Sequence, residues 1–268
     1  MSSLPPAIVL TVAYDGARLH GFAPQPGVRT VSAELLQAVQ RLDPSVAQIR
    51  GVSRTDAGVH ARGQRVAFDP QRAIAARGWV LGLSRHLPGD ISVRRAAFAA
   101  PGFDPRHHSV CKHYRYALLL DPCRDPLLEH FAWRIADPCD LDLAAAEAAA
   151  LVGTHDFAAF RSSADERTST ERTLSSVQIS RDPADPRRVA VDVQGSAFLH
   201  NMVRIIVGSI ADLARGRLAP GAFARALASR ARADLGMTAP PHGLSLERVQ
   251  LDPAPTEPWP PEPEPALP

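Results

Sequence analysis

Strand-like and helix-like segments alternate along this chain, and this alternation is the feature that most limits its fold. In the first hundred residues, three apolar runs have the short length or the alternating pattern of strands, and two longer segments repeat their apolar residues at helical spacing. The predicted strands cover 7–16, 64–69 and 91–99, and the predicted helices cover 31–42 and 73–87. The first part of the chain therefore predicts one sheet with two helices packed on it.

The same alternation starts again after residue 105. Strands are predicted at 111–120, 177–180, 187–195 and 243–251, and helices at 140–153, 197–216 and 220–232. Runs of strands and helices that repeat in this way are typical of an α+β fold in which the helices cover one side of each sheet. We therefore predict two similar α/β halves, residues 1–105 and 106–251. The repetition is one of pattern only, because the two halves show no convincing sequence repeat.

The last segment, residues 252–268, differs in composition from the rest of the chain. It holds eight prolines and four acidic residues among its 17 positions, and no basic residue. Proline lacks the backbone N–H that helices and ladders use, so such a segment is predicted to be disordered or polyproline-like.

Charge is distributed unevenly along the chain, although the formal net charge is only +2. Residues 1–110 contain 13 arginines, no lysine and 7 acidic residues, which gives this part a net charge of +6. One guanidinium group donates two hydrogen bonds at once to phosphate oxygens, so the arginine-rich pattern permits nucleic-acid binding. A GC-rich genome that encodes arginine in place of lysine explains it equally well.

Three cysteines, Cys111, Cys123 and Cys139, form no CxxC pair and leave an odd number, which favours reduced thiols in a cytosol over disulfides. The first ten residues lack the basic region of a signal peptide. The chain also has no run of about 20 apolar residues that would span a bilayer. We therefore expect a soluble cytoplasmic protein that is not associated with a membrane.

The run RTDAG, at 54–58, places an aspartate where chemistry is possible. Asp56 and Gly58 are good turn residues, so a structural turn is one interpretation. The preceding Arg54 favours a site for an anionic ligand instead. Asp56 and His60 also have a spacing seen in metal sites, but no third ligand follows at a recognisable distance. Walker, GxSxG and GxGxxG motifs are absent, so any chemistry depends on this aspartate and its neighbours.

The longer run GVSRTDAGVHARGQ, at 51–64, resembles the signature of the TruA-type tRNA pseudouridine synthases. Five further blocks follow the order found in that family. They are YDG at 14–16, LPGDI at 87–91, YRY at 114–116, HDF at 155–157 and FLHNMVRIIVG at 198–208. The resemblance extends from about residue 8 to residue 251.

The resemblance implies a role for four residues. Asp56 corresponds to the catalytic aspartate, and Arg204 corresponds to the basic residue that forms an ion pair with it. Tyr114 corresponds to the tyrosine that stacks on the target base. Arg54 corresponds to the arginine that occupies the place of the flipped nucleotide, where it would also be able to hold a phosphate.

The resemblance also implies the reaction and the fold. The reaction is isomerisation of uridine to pseudouridine at positions 38, 39 and 40 of the tRNA anticodon stem-loop, by a homodimer that uses no metal and no cofactor. The fold is the pseudouridine synthase fold, in which two RRM- or ferredoxin-like α/β halves share a central mixed, mainly antiparallel sheet with a basic cleft between them. Asp56 would attack the ring, attack the sugar or remove a sugar proton.

Two departures from the family pattern concern RNA contacts. Phe22 and Ala23 follow Gly21 where relatives commonly have Trp and Gln, and His107 and His108 lie where a different run is frequent. Two other functions stay open. One is an RNA-binding module without catalysis, which would not need Asp56, and the other is a metal-dependent phosphohydrolase that uses Asp56 and His60.

Overall fold

The computed structural model describes residues 5–165 and 167–261, and within these ranges it contains five α-helices and eleven strands. The helices are α1 (Val31–Leu42), α2 (Ala76–Leu83), α3 (Leu141–Ala148), α4 (Met202–Ala214) and α5 (Ala222–Ser229). The strands are β1 (Ala7–Tyr14), β2 (Arg50–Gly51), β3 (His60–Phe68), β4 (Ile91–Ala99), β5 (Ser109–Leu120), β6 (Trp133–Ile135), β7 (Gly153–Asp156), β8 (Glu171–Arg181), β9 (Arg188–Gly195), β10 (Leu244–Leu251) and β11 (Thr256–Trp259).

The chain divides into two compact units. The first takes the described residues up to Val110 and those from Leu246 onward, and the second is Cys111–Ser245. The predicted halves, 1–105 and 106–251, differ from this division mainly in the last strand. Residues of β10 belong to the first unit because β10 lies beside β3. The two strands approach so closely that a Cβ added to Gly63 of β3 would clash with the carbonyl oxygen of Glu247 in β10.

The first unit is a sheet covered by two helices. Its strands lie in the order β11, β4, β1, β3, β10, with β2 beside β3. The central strand β1 runs antiparallel to β3 and β4, which places Ile8 opposite both Phe68 and Phe98. Helix α2 packs the edge of its Trp79 ring against the Phe68 ring, with a centroid distance of 5.0 Å. Trp79 and Phe68 are fully buried, so this contact belongs to the core of the unit.

The second unit contains the antiparallel strands β5, β9, β8 and β7 in that order, and β6 runs parallel to β5. Helix α4 is buried along most of its length because its sequence is almost entirely apolar. Asn201 precedes it with a φ of 63°, a left-handed conformation that asparagine tolerates better than most residues. The predicted α+β class, with mainly antiparallel strands, is confirmed in both units.

Helix ends differ from the predictions where the backbone leaves the helical region. The predicted helix over 197–216 begins only after Asn201, because a left-handed residue cannot continue a right-handed helix. The predicted helix over 220–232 ends before Arg230, which has a φ of 59°. The short strands β2, β6 and β7 were missed, since two to four residues are too few to show an alternating pattern.

The tail prediction is wrong for part of residues 252–268. Thr256–Trp259 forms strand β11, in which Thr256 pairs with Phe98 and Trp259 with Ala96 of β4. The guanidinium of Arg77 lies 5.8 Å from the Trp259 ring centroid, and Arg95 Nε donates to Pro260 O at 2.9 Å. An edge strand offers unpaired backbone groups, and prolines are tolerated beside it, so a proline-rich segment is able to pair there. Residues 262–268 lie outside the described residues.

Within residues 5–165 and 167–261, no helix combines the length and the apolar character needed to cross a bilayer.

Candidate active site

The Asp56 loop connects β2 to β3 in the first unit. Val59 N–H donates to Asp56 O at 3.2 Å, and Gly58 adopts a φ of 78°, so the residues expected to form a turn do form one. Gly58 N–H donates in addition to Leu19 O at 3.3 Å. The Asp56 residue is half-buried, whereas Arg54 is exposed. Turn formation and a functional carboxylate are therefore compatible in the same loop.

The segment before α1 supports this loop from one side. Phe22 N–H donates to Thr55 O at 3.0 Å, and the first two N–H groups of α1 donate to Gly21 O and Phe22 O. A Cβ on Gly21 would lie 2.7 Å from Thr55 O, and Gly21 has a φ of 85°, so only glycine allows this close approach. The position of the Asp56 loop is thus tied to the start of a core helix.

A buried hydrogen-bond network supports the loop from the other side. Regular pairing of the β2 region with β3 ends where Val52 N–H donates to Arg65 O at 2.9 Å. The next residue, Ser53, is paired by the Gln64 side chain instead. Gln64 Nε2 donates to Ser53 O at 2.7 Å, and Ser53 N–H donates to Gln64 Oε1 at 3.3 Å. A fully buried amide therefore replaces a strand partner at the point where the chain turns away.

The same network reaches Thr55, which precedes Asp56. Tyr14 Oη lies 2.7 Å from Thr55 Oγ1, and Gln64 Nε2 donates to Tyr14 Oη at 3.4 Å. Because the Tyr14 oxygen accepts from Gln64, its own hydrogen is available to Thr55. All three side chains are buried. The residues on the amino-terminal side of Asp56 are thereby held by partners from β1 and β3.

His60 has a structural role in this unit. Its Nδ1 accepts the Gly16 N–H at 3.0 Å, and Asp15 Oδ1 lies 3.1 Å from the same nitrogen. Among the described residues, no three His, Cys, Asp or Glu side chains are grouped so as to hold a metal ion. The ring of His60 is therefore used to hold the Gly16 turn.

Arg54 is the exposed cation of the loop. Among the described residues its side chain makes no hydrogen bond and no ion pair, so the guanidinium is available to an anionic ligand. An arginine without an acidic partner keeps all five N–H donors for phosphate oxygens.

Tyr114 lies in the second unit, on β5, opposite Val193 of β9. Its ring meets the Phe198 ring edge to face, with a centroid distance of 5.1 Å and an interplanar angle of 78°. Tyr114 is 8% exposed. An aromatic partner of this kind fixes the orientation of the ring, so the sheet-packing interpretation holds in part, and the role of Tyr114 in base stacking stays a prediction.

Arg204 lies in the first turn of α4, and its guanidinium is held in place. Nε donates to Ala239 O at 2.8 Å, and Nη1 donates to Asn201 Oδ1 at 2.8 Å. The residue is half-buried, which excludes an arginine that simply extends into solvent. Burial raises the pKa of the nearby Tyr116 hydroxyl well above its usual value, although the Arg204 charge lowers it in part. Tyr116 therefore stays neutral and donates to Pro240 O at 2.7 Å.

The four predicted site residues are divided between the units. Asp56 and Arg54 belong to the first unit, and Tyr114 and Arg204 belong to the second. The predicted ion pair between Asp56 and Arg204 stays a prediction. The supporting roles of Gln64 and of Tyr14 were not predicted, although both residues lie inside the quoted motifs.

The two departures from the family pattern have structural explanations. Phe22 is 5% exposed, and its ring occupies the space that a Cβ on Gly51 would need, so it is a core residue. The His108 ring stacks on Phe103 with a centroid distance of 4.4 Å, and Asp252 N–H donates to His108 O at 2.9 Å. Phe22 and His108 therefore stabilise the first unit.

The Asp56 carboxylate thus lies on a loop held by buried hydrogen bonds, close in sequence to the exposed Arg54 guanidinium, and this arrangement suits an anionic ligand. Comparison with known proteins identifies the family. A family model described as a tRNA pseudouridine synthase matches residues 147–252. The tRNA pseudouridine synthase A of Geobacter sulfurreducens is 39% identical over 244 residues, which cover 91% of this chain and 99% of that protein. The chain belongs to the tRNA pseudouridine synthase family, and the predicted pseudouridine synthase fold is confirmed.

Two further relatives support the same family assignment. The protein of the same name from Geobacter sp. strain M21 is 40% identical over 243 residues, 90% of this chain and 97% of that protein. The one from Myxococcus xanthus is 36% identical over 244 residues, 91% of each chain. A chain in the crystal structure of the archaeal box H/ACA sRNP Nop10–Cbf5 complex has 14% identity and a TM-score of 0.37, over 92% of this chain and 49% of that chain. A likeness at that level adds nothing to the assignment.

Proposed function

We propose that this chain is an isomerase that converts uridine to pseudouridine in tRNA, at positions 38, 39 and 40 of the anticodon stem-loop. The observation that carries the proposal is the Asp56 loop, whose backbone is held by buried hydrogen bonds in a chain that matches tRNA pseudouridine synthases over about nine-tenths of its length. A module that only binds RNA has no need of a carboxylate held in this way.

The reaction needs few chemical groups. The glycosidic C1′–N1 bond breaks, the uracil turns, and C1′ joins C5 while the C5 proton is lost and N1 gains a proton. Atoms and electrons balance within the nucleotide, so neither an oxidant nor a reductant is consumed. Asp56, as a carboxylate, supplies a nucleophile for the ring or the sugar, or a base for a sugar proton. A substrate deuterated at C2′ distinguishes the base role from the two nucleophilic roles, since only proton removal from C2′ gives a primary isotope effect.

The other three residues act on charge and position in this proposal. Arg204 pairs with Asp56 and stabilises its charged form, because opposite charges attract more strongly where water is excluded. Tyr114 presents an aromatic face to the extruded base, an interaction worth about 1–3 kcal/mol per stacked base. Arg54 fills the space that the flipped nucleotide leaves, or binds a phosphate beside it.

The test uses purified protein and unmodified tRNA transcripts, followed by mapping of pseudouridine along the RNA. Product at positions 38, 39 or 40, and its loss from transcripts with cytidine at those positions, is the expected result. The Asp56→Asn protein provides the matched control, since it keeps the size of the side chain but not its charge. Product in another arm would refute the site specificity, and tRNA binding without any product would favour the RNA-binding module.

We also propose that the chain acts as a homodimer in the cytoplasm, where its tRNA substrate is found. Two large apolar side chains fit the dimer proposal, because Leu127 is 85% exposed and Phe131 is 53% exposed on the same loop. Light scattering should give twice the mass of the chain, and Leu127→Asp should lower it. A monomer for the unchanged protein at micromolar concentration would contradict the dimer, and recovery of the protein in a membrane fraction would contradict the location.

A further inference from the structure

Three backbone atoms of the segment Phe198–His200, in the second unit, are held by one neighbouring loop. Arg167 Nη1 donates to Phe198 O at 2.7 Å. His200 N–H donates to Asp165 Oδ2 at 2.8 Å, and Ser162 N–H donates to His200 O at 3.0 Å. A segment between a strand and a helix would otherwise have its backbone groups solvated and mobile, so this loop determines its position.

Asp165 is the centre of this arrangement. Its side chain is 2% exposed, and Oδ1 accepts the Arg167 N–H at 3.1 Å and lies 3.3 Å from Arg167 Nε. Burial raises the pKa of the Asp165 carboxyl, but the hydrogen bonds from His200 and Arg167 outweigh it and leave the pKa below its usual value. The carboxylate is thus charged at neutral pH, and it joins Arg167 to His200.

The held segment contacts one predicted site residue of the second unit, Tyr114, and leads into the helix that carries the other, Arg204. The Phe198 ring lies against the Tyr114 ring at 5.1 Å, so movement of Phe198 changes the orientation of Tyr114. The segment also leads directly into Asn201, whose Oδ1 accepts from Arg204 Nη1 at 2.8 Å. A shift of His200 would therefore move the start of α4 and the guanidinium of Arg204.

We propose that Asp165, with Arg167, is a positioning residue for pseudouridine formation: it fixes the Phe198–His200 segment and thereby the Tyr114 ring and the Arg204 guanidinium. The inference rests on the proposed function, because its consequence is the rate of that reaction. Asp165 touches neither the base nor the Asp56 carboxylate in this proposal. It acts through Phe198 and Asn201.

Asp165→Asn tests the proposal, because one carboxylate oxygen becomes an NH₂ group that must face the N–H of either His200 or Arg167. Hydrogen exchange at the His200 or the Arg167 amide should become about tenfold faster or more, as expected for one lost hydrogen bond. The single-turnover rate at saturating tRNA should fall about 10- to 100-fold, the effect of a misplaced group at a reaction centre. The dissociation constant for tRNA should stay within about threefold, since no RNA contact is removed.

Asp121→Asn is the matched control in the same unit. Asp121 also accepts a backbone N–H, that of Cys123 at 2.8 Å, and pairs with an arginine, Arg187 Nη1 at 2.7 Å. It lies at the end of β5 and contacts neither Phe198 nor Asn201, so its variant should keep the wild-type turnover rate.

A second variant covers the case in which Asp165→Asn does not fold. Arg167→Met keeps the length of the side chain but removes the donor to Phe198 O, and its rate should fall about threefold or more. If both residues act through one segment, the double variant should be no slower than Asp165→Asn alone.

Two results would overturn the inference alone: unchanged exchange at both the His200 and the Arg167 amides in Asp165→Asn, or faster exchange with an unchanged rate. Absence of pseudouridine with the wild-type chain would instead overturn the proposed function and this inference with it. The two failures are therefore distinguishable.

Discussion

Replacing Gln64 by leucine should cost both stability and turnover. The Gln64 amide is fully buried and is the partner of both Ser53 backbone groups, with Nε2 to O at 2.7 Å and N to Oε1 at 3.3 Å. Leucine is close to glutamine in volume but has no polar atom. The change therefore removes the hydrogen bonds with little change in packing.

The magnitude follows from the groups left behind. The N–H and the C=O of Ser53 would stay buried without their partner, and Tyr14 would lose the weaker bond of 3.4 Å. An unsatisfied buried polar group costs about 1–3 kcal/mol, so the free energy of unfolding should fall by about 2–5 kcal/mol. Turnover should fall as well, because Ser53 and Thr55 hold the chain immediately before Asp56.

Urea unfolding followed by circular dichroism measures the first effect, and single-turnover assays at a temperature where the variant is folded measure the second. Gln40→Leu is the control, since Gln40 Nε2 also donates to a backbone carbonyl, Val46 O at 2.9 Å, but lies on α1 away from the loop. It should lose about 1 kcal/mol and keep its rate. A Gln64→Leu protein that matches this control in both measurements would refute the role of the network.

The remaining predictions concern charge. Asp56→Asn should abolish pseudouridine formation while tRNA affinity, measured by filter binding, stays near wild type; substantial residual turnover would exclude catalysis by this carboxylate. Arg204→Met should lower the single-turnover rate about 100-fold and destabilise the fold by about 1.5–3 kcal/mol, because Ala239 O and Asn201 lose a charged donor; a rate near wild type would contradict the ion pair. Arg54→Ala should reduce the single-turnover rate more than the affinity, whereas a salt dependence flatter by about one unit with normal turnover would indicate a phosphate contact alone. Burial raises the pKa of the Asp43 carboxyl, but hydrogen bonds from Ser45, Arg72 and Gln71 outweigh burial and leave the pKa below its usual value. The contribution of Asp43 to stability is therefore present above the unfolded pKa of about 4 and is lost as pH falls through the folded pKa. Urea midpoints between pH 7 and pH 3 should therefore fall less steeply for Asp43→Asn than for wild type.

Long helices and strands were predictable because their apolar residues recur at a regular spacing along the whole element, wherever one face is buried. Helix α1 and strand β4 have the predicted bounds, since each presents one apolar face or stripe over eight residues or more. Elements of two to four residues carry too little pattern, and β2 and β7 exist because a neighbouring strand pairs with them. Strand β11 is a similar case, since its partner β4 lies about 160 residues earlier in the chain.

The candidate site residues could be proposed from the sequence, and their roles stay predictions, whereas the supports of the loop could not be proposed from it. Asp56, Arg54, Tyr114 and Arg204 come from motifs that can be read along the chain. The network that holds the loop joins Tyr14 to Thr55, which are 41 residues apart, and no local pattern shows that they meet.

In the Asp56 loop, a turn and the proposed catalytic role are compatible interpretations of the same residues. A carboxylate that must meet a base in one geometry needs a backbone that does not move, and a tight turn with a left-handed glycine provides such a backbone. Gly58 allows the turn, and Gly21 allows the neighbouring segment to approach it. The Gln64 amide, on β3, binds the Ser53 backbone just before the turn. The residues that make the motif look like ordinary turn chemistry are thus the ones that hold Asp56 in the position that the proposed reaction needs.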